Sequence, residues 1–173
     1  MVTAPNSPRR IALALAAAVL VAQPALAQWR VGQDTPEGSS TRIDVAVVEN
    51  DSGHVLELYR DDRYTVRGAF VIRGGFDTMD PDSCPTYRVD ERAPHRVTFE
   101  GGRCQILPKE ARFTLGPAGE ARNRELRRIM NGSQLVFRYR LGNGTYRETA
   151  FTLRGSKYAL TTAIPSAEIL YDE

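Results

Sequence analysis

The chain has 173 residues, of which 42% are hydrophobic and 25% charged, with a formal net charge of +2. This length is typical of one domain, and the apolar fraction suffices for a buried core. The basic excess is too small for the clustered positive charge of nucleic-acid-binding domains, so nucleic acid is not an expected partner.

The first 27 residues have the three parts of a secretory signal peptide. Met1–Arg10 is polar and ends in two arginines, Ile11–Ala22 is wholly apolar, and Ala25–Ala27 supplies the small residues of a cleavage site. The apolar run is shorter than the ~20 residues that a membrane-spanning helix needs. We therefore expect cleavage after Ala27 and a periplasmic or secreted mature chain, residues 28–173, with no transmembrane segment.

The signal peptide also accounts for the net charge. The whole chain has 23 Lys and Arg residues against 21 Asp and Glu. Its two excess basic residues are Arg9 and Arg10, so the mature chain carries equal numbers of both signs. This balance further weakens any nucleic-acid interpretation.

The N-terminal half of the mature chain predicts β-structure. Apolar residues alternate over Ile43–Val48 and His54–Arg60, and the turn cluster Asn50–Gly53 between them indicates a hairpin. A further strand is predicted over Tyr64–Ile72, and Trp29 is expected to anchor a short strand to the body of the domain.

The middle of the chain is less regular. Phe76–Pro94 contains three prolines and is predicted to lack regular structure. Two short strands, His95–Phe99 and Arg103–Leu107, are expected around a turn at Glu100–Gly102. Another short strand is expected over Phe113–Leu115.

The C-terminal third predicts a helix and a hairpin. Leu126, Ile129 and Met130 have helical spacing, so an amphipathic helix is expected over about 118–131, with Gly132 just beyond its end.

The predicted hairpin pairs Leu135–Leu141 with Tyr146–Leu153 across the turn Gly142–Gly144. A short helix capped by Ser156 is expected over Lys157–Ala163, followed by a polar tail. Together these elements predict one mainly β domain, an antiparallel sandwich or partly closed barrel with one amphipathic helix and a possible short C-terminal helix.

The chain has two cysteines, Cys84 and Cys104. An exported domain meets an oxidising compartment, and no C-x-x-C redox motif is present, so a structural disulfide between them is expected. The chain-entropy model gives a loop of this length a stabilisation of about 3 kcal/mol.

Few residues point to catalysis or to a metal. His54 and His95 are the two histidines; a hydrolytic site would need one of them beside a carboxylate and a Ser or Cys nucleophile, and no G-x-S-x-G elbow is present. The loop aspartates Asp77, Asp80 and Asp82 are a weak calcium candidate, since calcium takes oxygen ligands, but they lack the EF-hand spacing. No cofactor is expected.

Part of the chain resembles a known family. The segments Ile129–Gly132, Leu135–Tyr139, Phe151–Ser156 and Ala159-Leu160, together with the early Trp29, are similar to invasion-associated locus B-like proteins. That resemblance implies an exported bacterial β-rich protein of the cell envelope without a known cofactor, and it assigns no catalytic residues.

The leading functional hypothesis is a non-enzymatic exported protein that binds an envelope protein or glycan, or contributes to envelope or host interaction. The alternative is a small cell-wall-directed hydrolase or inhibitor module. The environment of the two histidines discriminates between them, because an enzyme should place one in a cleft beside a carboxylate or hydroxyl.

Overall fold

The computed structural model describes residues 28–35, 41–117 and 123–165. The predicted signal peptide, residues 1–27, and the predicted tail after Pro165 lie outside the described residues. The strands are β1 (Arg30–Asp34), β2 (Ile43–Glu49), β3 (Val55–Arg60), β4 (Thr65–Val71), β5 (Thr86–Val89), β6 (His95–Arg96), β7 (Thr98–Phe99), β8 (Gly102–Arg103), β9 (Gln105–Leu107), β10 (Glu110–Pro117), β11 (Gln134–Arg140) and β12 (Tyr146–Thr152), and the helices are α1 (Arg124–Asn131) and α2 (Ser156–Ala163).

Two antiparallel sheets pack face to face. The larger sheet has the order β1-β2-β3-β4-β10-β9, the smaller has the order β12-β11-β5-β6, and β7 and β8 form a separate hairpin. Apolar residues alternate along these strands, so each sheet has one apolar face, and the two faces meet in a single core cluster. The fold is therefore the predicted antiparallel sandwich, and it is not a closed barrel. At its centre lie four fully buried rings, Phe70, Phe113, Phe137 and Phe151.

Side chains, rather than strand pairing, close one edge of the sandwich. The indole N–H of Trp29 donates to the carbonyl of Thr152 at 2.8 Å, and the amide of Asn50 donates to the carbonyl of Ala150 at 2.9 Å. Both acceptors belong to β12, the edge strand of the smaller sheet. These bonds occupy carbonyls that an exposed edge would otherwise offer to another chain.

The predicted disulfide between Cys84 and Cys104 lies on another side of the sandwich. Cys84 lies just before β5 of the smaller sheet, and Cys104 lies just before β9 of the larger sheet. Both side chains are partly buried against the core. The bond therefore connects the two sheets and not only a local loop.

The prediction for Phe76–Pro94 was wrong in one part. Thr86–Val89 forms β5, which pairs with β11 on one side and β6 on the other. Tyr87 and Val89 from this strand are buried in the core. The strand is short, and its main partner β11 is remote in the sequence, so no local turn signal marks the pairing.

Other boundaries also differ from the predictions. The strand expected at Phe113–Leu115 extends over Glu110–Pro117. The amphipathic helix begins at Arg124, because the Asn123 side chain accepts a hydrogen bond from the backbone N–H of Leu126 and caps it there. The part of the predicted helix over 118–122 lies outside the described residues. Neither described helix is long and apolar enough to cross a membrane.

The strand predicted over His95–Phe99 is split between two partners. His95–Arg96 pairs with β5, whereas Thr98–Phe99 pairs with Gly102–Arg103. The intervening turn has two central residues, Glu100 and Gly101, with φ of 51° and 76°. Positive φ at both positions is the signature of the type I′ hairpin turn.

Gly68 on β4 marks a close approach inside the core. A Cβ at this position would lie 2.3 Å from Cζ of Phe113 and 2.9 Å from Cδ2 of Leu58. We expect Gly68→Ala to lower the free energy of unfolding by about 1–3 kcal/mol, as overpacking does elsewhere. Urea unfolding measures this loss.

Gly32→Ala is the matched control, because Gly32 lies on β1 of the same sheet and a Cβ there would meet nothing within 4 Å. It should cause no loss of stability. Equal stabilities of the two variants would contradict the packing described for Gly68.

Candidate functional site

The turn between β2 and β3 brings His54 to the open end of the sandwich. The Asn50 carboxamide oxygen accepts hydrogen bonds from the backbone N–H groups of Ser52 and His54, which shapes the turn. The Asn50 amide nitrogen reaches the other sheet and donates to Oγ1 of Thr149 at 2.6 Å. One asparagine thus folds the turn and holds it against β12.

His54 hydrogen-bonds through both ring nitrogens. Its Nδ1 accepts from the backbone N–H of Arg73 at 3.1 Å, and its Nε2 lies 3.4 Å from the hydroxyl of Tyr139. Because a neutral imidazole carries one proton and Nδ1 is an acceptor, the proton is on Nε2. Nε2–H therefore donates to the Tyr139 oxygen, and the Tyr139 hydroxyl keeps its own proton for another acceptor.

These two residues line an open cavity of about 230 Å³, which we call the cleft. Ser52, Asp77, Arg147 and Thr149 are also in its wall. The inward-pointing residues of β12 become more polar and more exposed toward the cleft. Phe151 is apolar and buried, Thr149 is polar and buried, and Arg147 is charged and exposed.

Burial lowers the pKa of His54 below its usual value of 6.5. The folded protein then binds this proton less readily than the unfolded chain, so the contribution of His54 to stability is present above about pH 6.5 and is lost as the pH falls below it. His54→Asn retains an acceptor in place of Nδ1 and does not titrate.

Between about pH 7.5 and about pH 5.5, the wild type should therefore lose more unfolding free energy than the His54→Asn variant. Urea titrations at the two pH values measure the difference. Identical pH slopes for the two proteins would refute a partly buried, neutral His54.

His95 lies elsewhere, on the exposed strand β6. Its ring packs against Tyr87, with centroids 5.4 Å apart. Within residues 28–35, 41–117 and 123–165, no Ser, Cys or Asp side chain hydrogen-bonds to either histidine. The structure thus places one histidine in a cleft beside a hydroxyl. Ser52 and Asp77 line the same cleft, but neither hydrogen-bonds to His54 as the nucleophile and carboxylate of a hydrolytic triad do.

The three loop aspartates are not assembled into one site. Asp80 accepts from the backbone N–H of Asp82 and lies 3.2 Å from the Arg140 guanidinium, whereas Asp82 faces Arg103 at 3.7 Å. Asp77 lines the cleft instead. In the part of the chain that the structure describes, no group of three or more His, Cys, Asp or Glu residues could hold a metal ion.

A second concave surface, which sequence patterns did not reveal, lies on the outer face of the larger sheet. It is a groove of about 700 Å³ lined by six acidic side chains and four arginines, with Tyr59 and Ala69 among the other lining residues. Some of these charges pair with each other: Arg67, only 8% exposed, bonds to Asp61 at 2.8 Å, and Arg112 pairs with Glu110 at 2.6 Å.

Glu57 lies half-buried in this groove, between Val47 and Ala69 in the strand register. Burial raises the pKa of its carboxyl group, and the negative charges of Asp34 and Glu110 raise it further, while the positive charges of Arg73 and Arg30 partly offset this rise. None of the described residues donates a hydrogen bond to this carboxylate. The groove therefore presents a half-buried acidic group without a hydrogen-bond donor among the described residues.

Comparisons with known proteins bear on the fold. No protein-family model matches the chain, and no curated protein matches it significantly. The chain is similar to the crystal structure of invasion associated protein B from Bartonella henselae, with a TM-score of 0.55 and 13% identity over 84% of this chain and 97% of that one. At 13% identity this similarity shows a shared fold. The resemblance seen in the sequence of the C-terminal third is therefore supported at the level of the fold.

Proposed function

We propose that the chain is an exported, non-enzymatic binding protein that holds a positively charged segment of another envelope component in the groove. The sequence of residues 1–27 supports export, since it has the order of a signal peptide with its cleavage site after Ala27. The Cys84–Cys104 disulfide fits an oxidising compartment such as the periplasm.

The observation that carries the proposal is Glu57 in the groove. Acidic side chains outnumber arginines there by six to four, and the Arg67 and Arg112 charges are already matched by carboxylates. A half-buried carboxylate without a hydrogen-bond donor has lost part of its hydration. A bound cation stabilises its negative charge in place of that water. A ligand with ammonium or guanidinium groups supplies that cation.

Cross-linking tests this proposal in cells. A photo-reactive amino acid at Gln105, which lines the groove, should give a covalent adduct with an envelope component, whereas one at Glu91, exposed in the turn after β5, should not. Glu57→Gln should weaken capture from position 105 by about tenfold, as expected for loss of a charged hydrogen bond. Adducts that are equal from both positions, or insensitive to Glu57→Gln, would contradict the proposal.

The runner-up function is a small cell-wall-directed hydrolase, and the cleft is the observation in its favour. A general base needs a free ring nitrogen. In His54 the Arg73 N–H occupies Nδ1, and Nε2 carries the proton. We therefore expect no release of soluble fragments from purified cell wall above the buffer rate; release that His54→Asn abolishes would favour the hydrolase.

A further inference from the structure

The cleft contains a hydrogen-bond donor without an acceptor. The Tyr139 oxygen accepts from His54, so its own proton is free to be donated. No acceptor for it lies among the described residues. Tyr139 is only 6% exposed, and its polar end borders the cleft, so a molecule in the cleft is the remaining acceptor.

Two opposite charges flank the same hydroxyl. Arg147 faces Tyr139 directly in the β11–β12 register, and Asp77 lines the cleft with them. Burial raises the pKa of Tyr139, while Arg147 lowers it and Asp77 raises it, which places both charges within electrostatic range of the hydroxyl. No ion pair within 4 Å joins Arg147 to a carboxylate in the described ranges.

The polar residues of the cleft also break the pattern of the strand that carries them. Leu135, Phe137 and Phe151 fill the inner face of the β11–β12 hairpin, and the same alternation places Thr149 and Arg147 inward toward its turn. Apolar residues at these two positions would extend the core. Positions that break a local folding rule are where binding sites are expected.

We propose that the cleft binds a small zwitterion, a free α-amino acid, whose carboxylate contacts Arg147 and the Tyr139 hydroxyl and whose ammonium contacts Asp77. A simple anion would be repelled by Asp77, and a simple cation by Arg147. A ligand with both charges satisfies both side chains and accepts the Tyr139 proton. The 230 Å³ volume admits a molecule of this size.

Proton NMR of the oxidised protein tests the proposal, because the chain has only two histidines. L-Alanine or L-leucine should shift the ring signals of His54 in a saturable way, with a Kd of about 1 mM or tighter, while those of His95 stay in place as an internal reference. Propionate and 4-methylpentanoate, which lack the ammonium group, should bind at least about tenfold more weakly.

Three variants assign the contacts. Tyr139→Phe removes only the hydroxyl and should weaken alanine binding by about tenfold. Asp77→Asn should abolish the preference for alanine over propionate. Arg138→Gln, on the opposite face of β11, is the control and should bind as the wild type does.

The absence of a saturable His54 shift for either amino acid up to about 20 mM would overturn the proposal. Equal binding of alanine and propionate to the wild type, or unchanged binding to Tyr139→Phe, would overturn it as well. None of these results bears on the groove, which lies on the outer face of the larger sheet and shares no lining residue with the cleft.

Discussion

Replacement of Phe137 by alanine should lower the free energy of unfolding by about 3–5 kcal/mol, the largest effect expected for any single substitution in the core. Phe137 is fully buried, and its ring stacks on that of Phe70 with centroids 4.6 Å apart. It also contacts Phe113 and Phe151, so it links rings from both sheets. Removal of the ring leaves a cavity that the surrounding strands cannot fill.

Urea unfolding of the purified protein measures this loss, and two further variants make the result interpretable. Phe76→Ala removes the same group from a fully exposed position and should change stability by less than about 0.5 kcal/mol. Phe137→Leu keeps most of the volume and should cost less than Phe137→Ala, so it covers the case in which the alanine variant does not fold. A Phe137→Ala variant as stable as Phe76→Ala would disprove the central position of this ring.

Removal of the disulfide should have the second largest effect. The double variant Cys84→Ser, Cys104→Ser should lose about 3 kcal/mol of unfolding free energy, because the unfolded chain regains the entropy of a loop closed across 20 positions. Reduction of the wild type with dithiothreitol should cause a similar loss and should leave the double variant unchanged.

This comparison separates the covalent bond from the side chains. If the reduced and oxidised wild-type proteins unfold at the same urea concentration, the connection between β5 and β9 does not stabilise the sandwich. A double variant that is far less stable than the reduced wild type would show instead that the serine substitutions disturb the core.

Local sequence signals were sufficient to predict several parts of the fold. The hairpins β2–β3 and β11–β12 were predicted because each combines strict alternation with a turn cluster, Asn50–Gly53 or Gly142–Gly144. Strand β5 was missed because its four residues beside Pro85 are too few for a clear pattern of alternation, and because its main partner β11 is remote in the sequence. Non-local pairing has no signature within a short window.

The candidate sites were harder to predict for the same reason. His54 and Tyr139 are separated by 85 positions and meet only because the two sheets pack together. One signal was present in the sequence: Arg147 and Thr149 occupy inward positions of a strand whose neighbouring inward residue is Phe151. The groove had no such signal, since charged residues on an outward sheet face are the ordinary pattern.

The proposed function depends first on export and oxidation, and the intact mass of the protein recovered from a cell-envelope fraction tests both together. We expect a chain that begins at Gln28, because the proposal includes removal of the signal peptide, and that gains the mass of two hydrogens on reduction, because Cys84 is bonded to Cys104. A chain that begins at Met1, remains in the cytoplasm and has two free thiols would contradict the account.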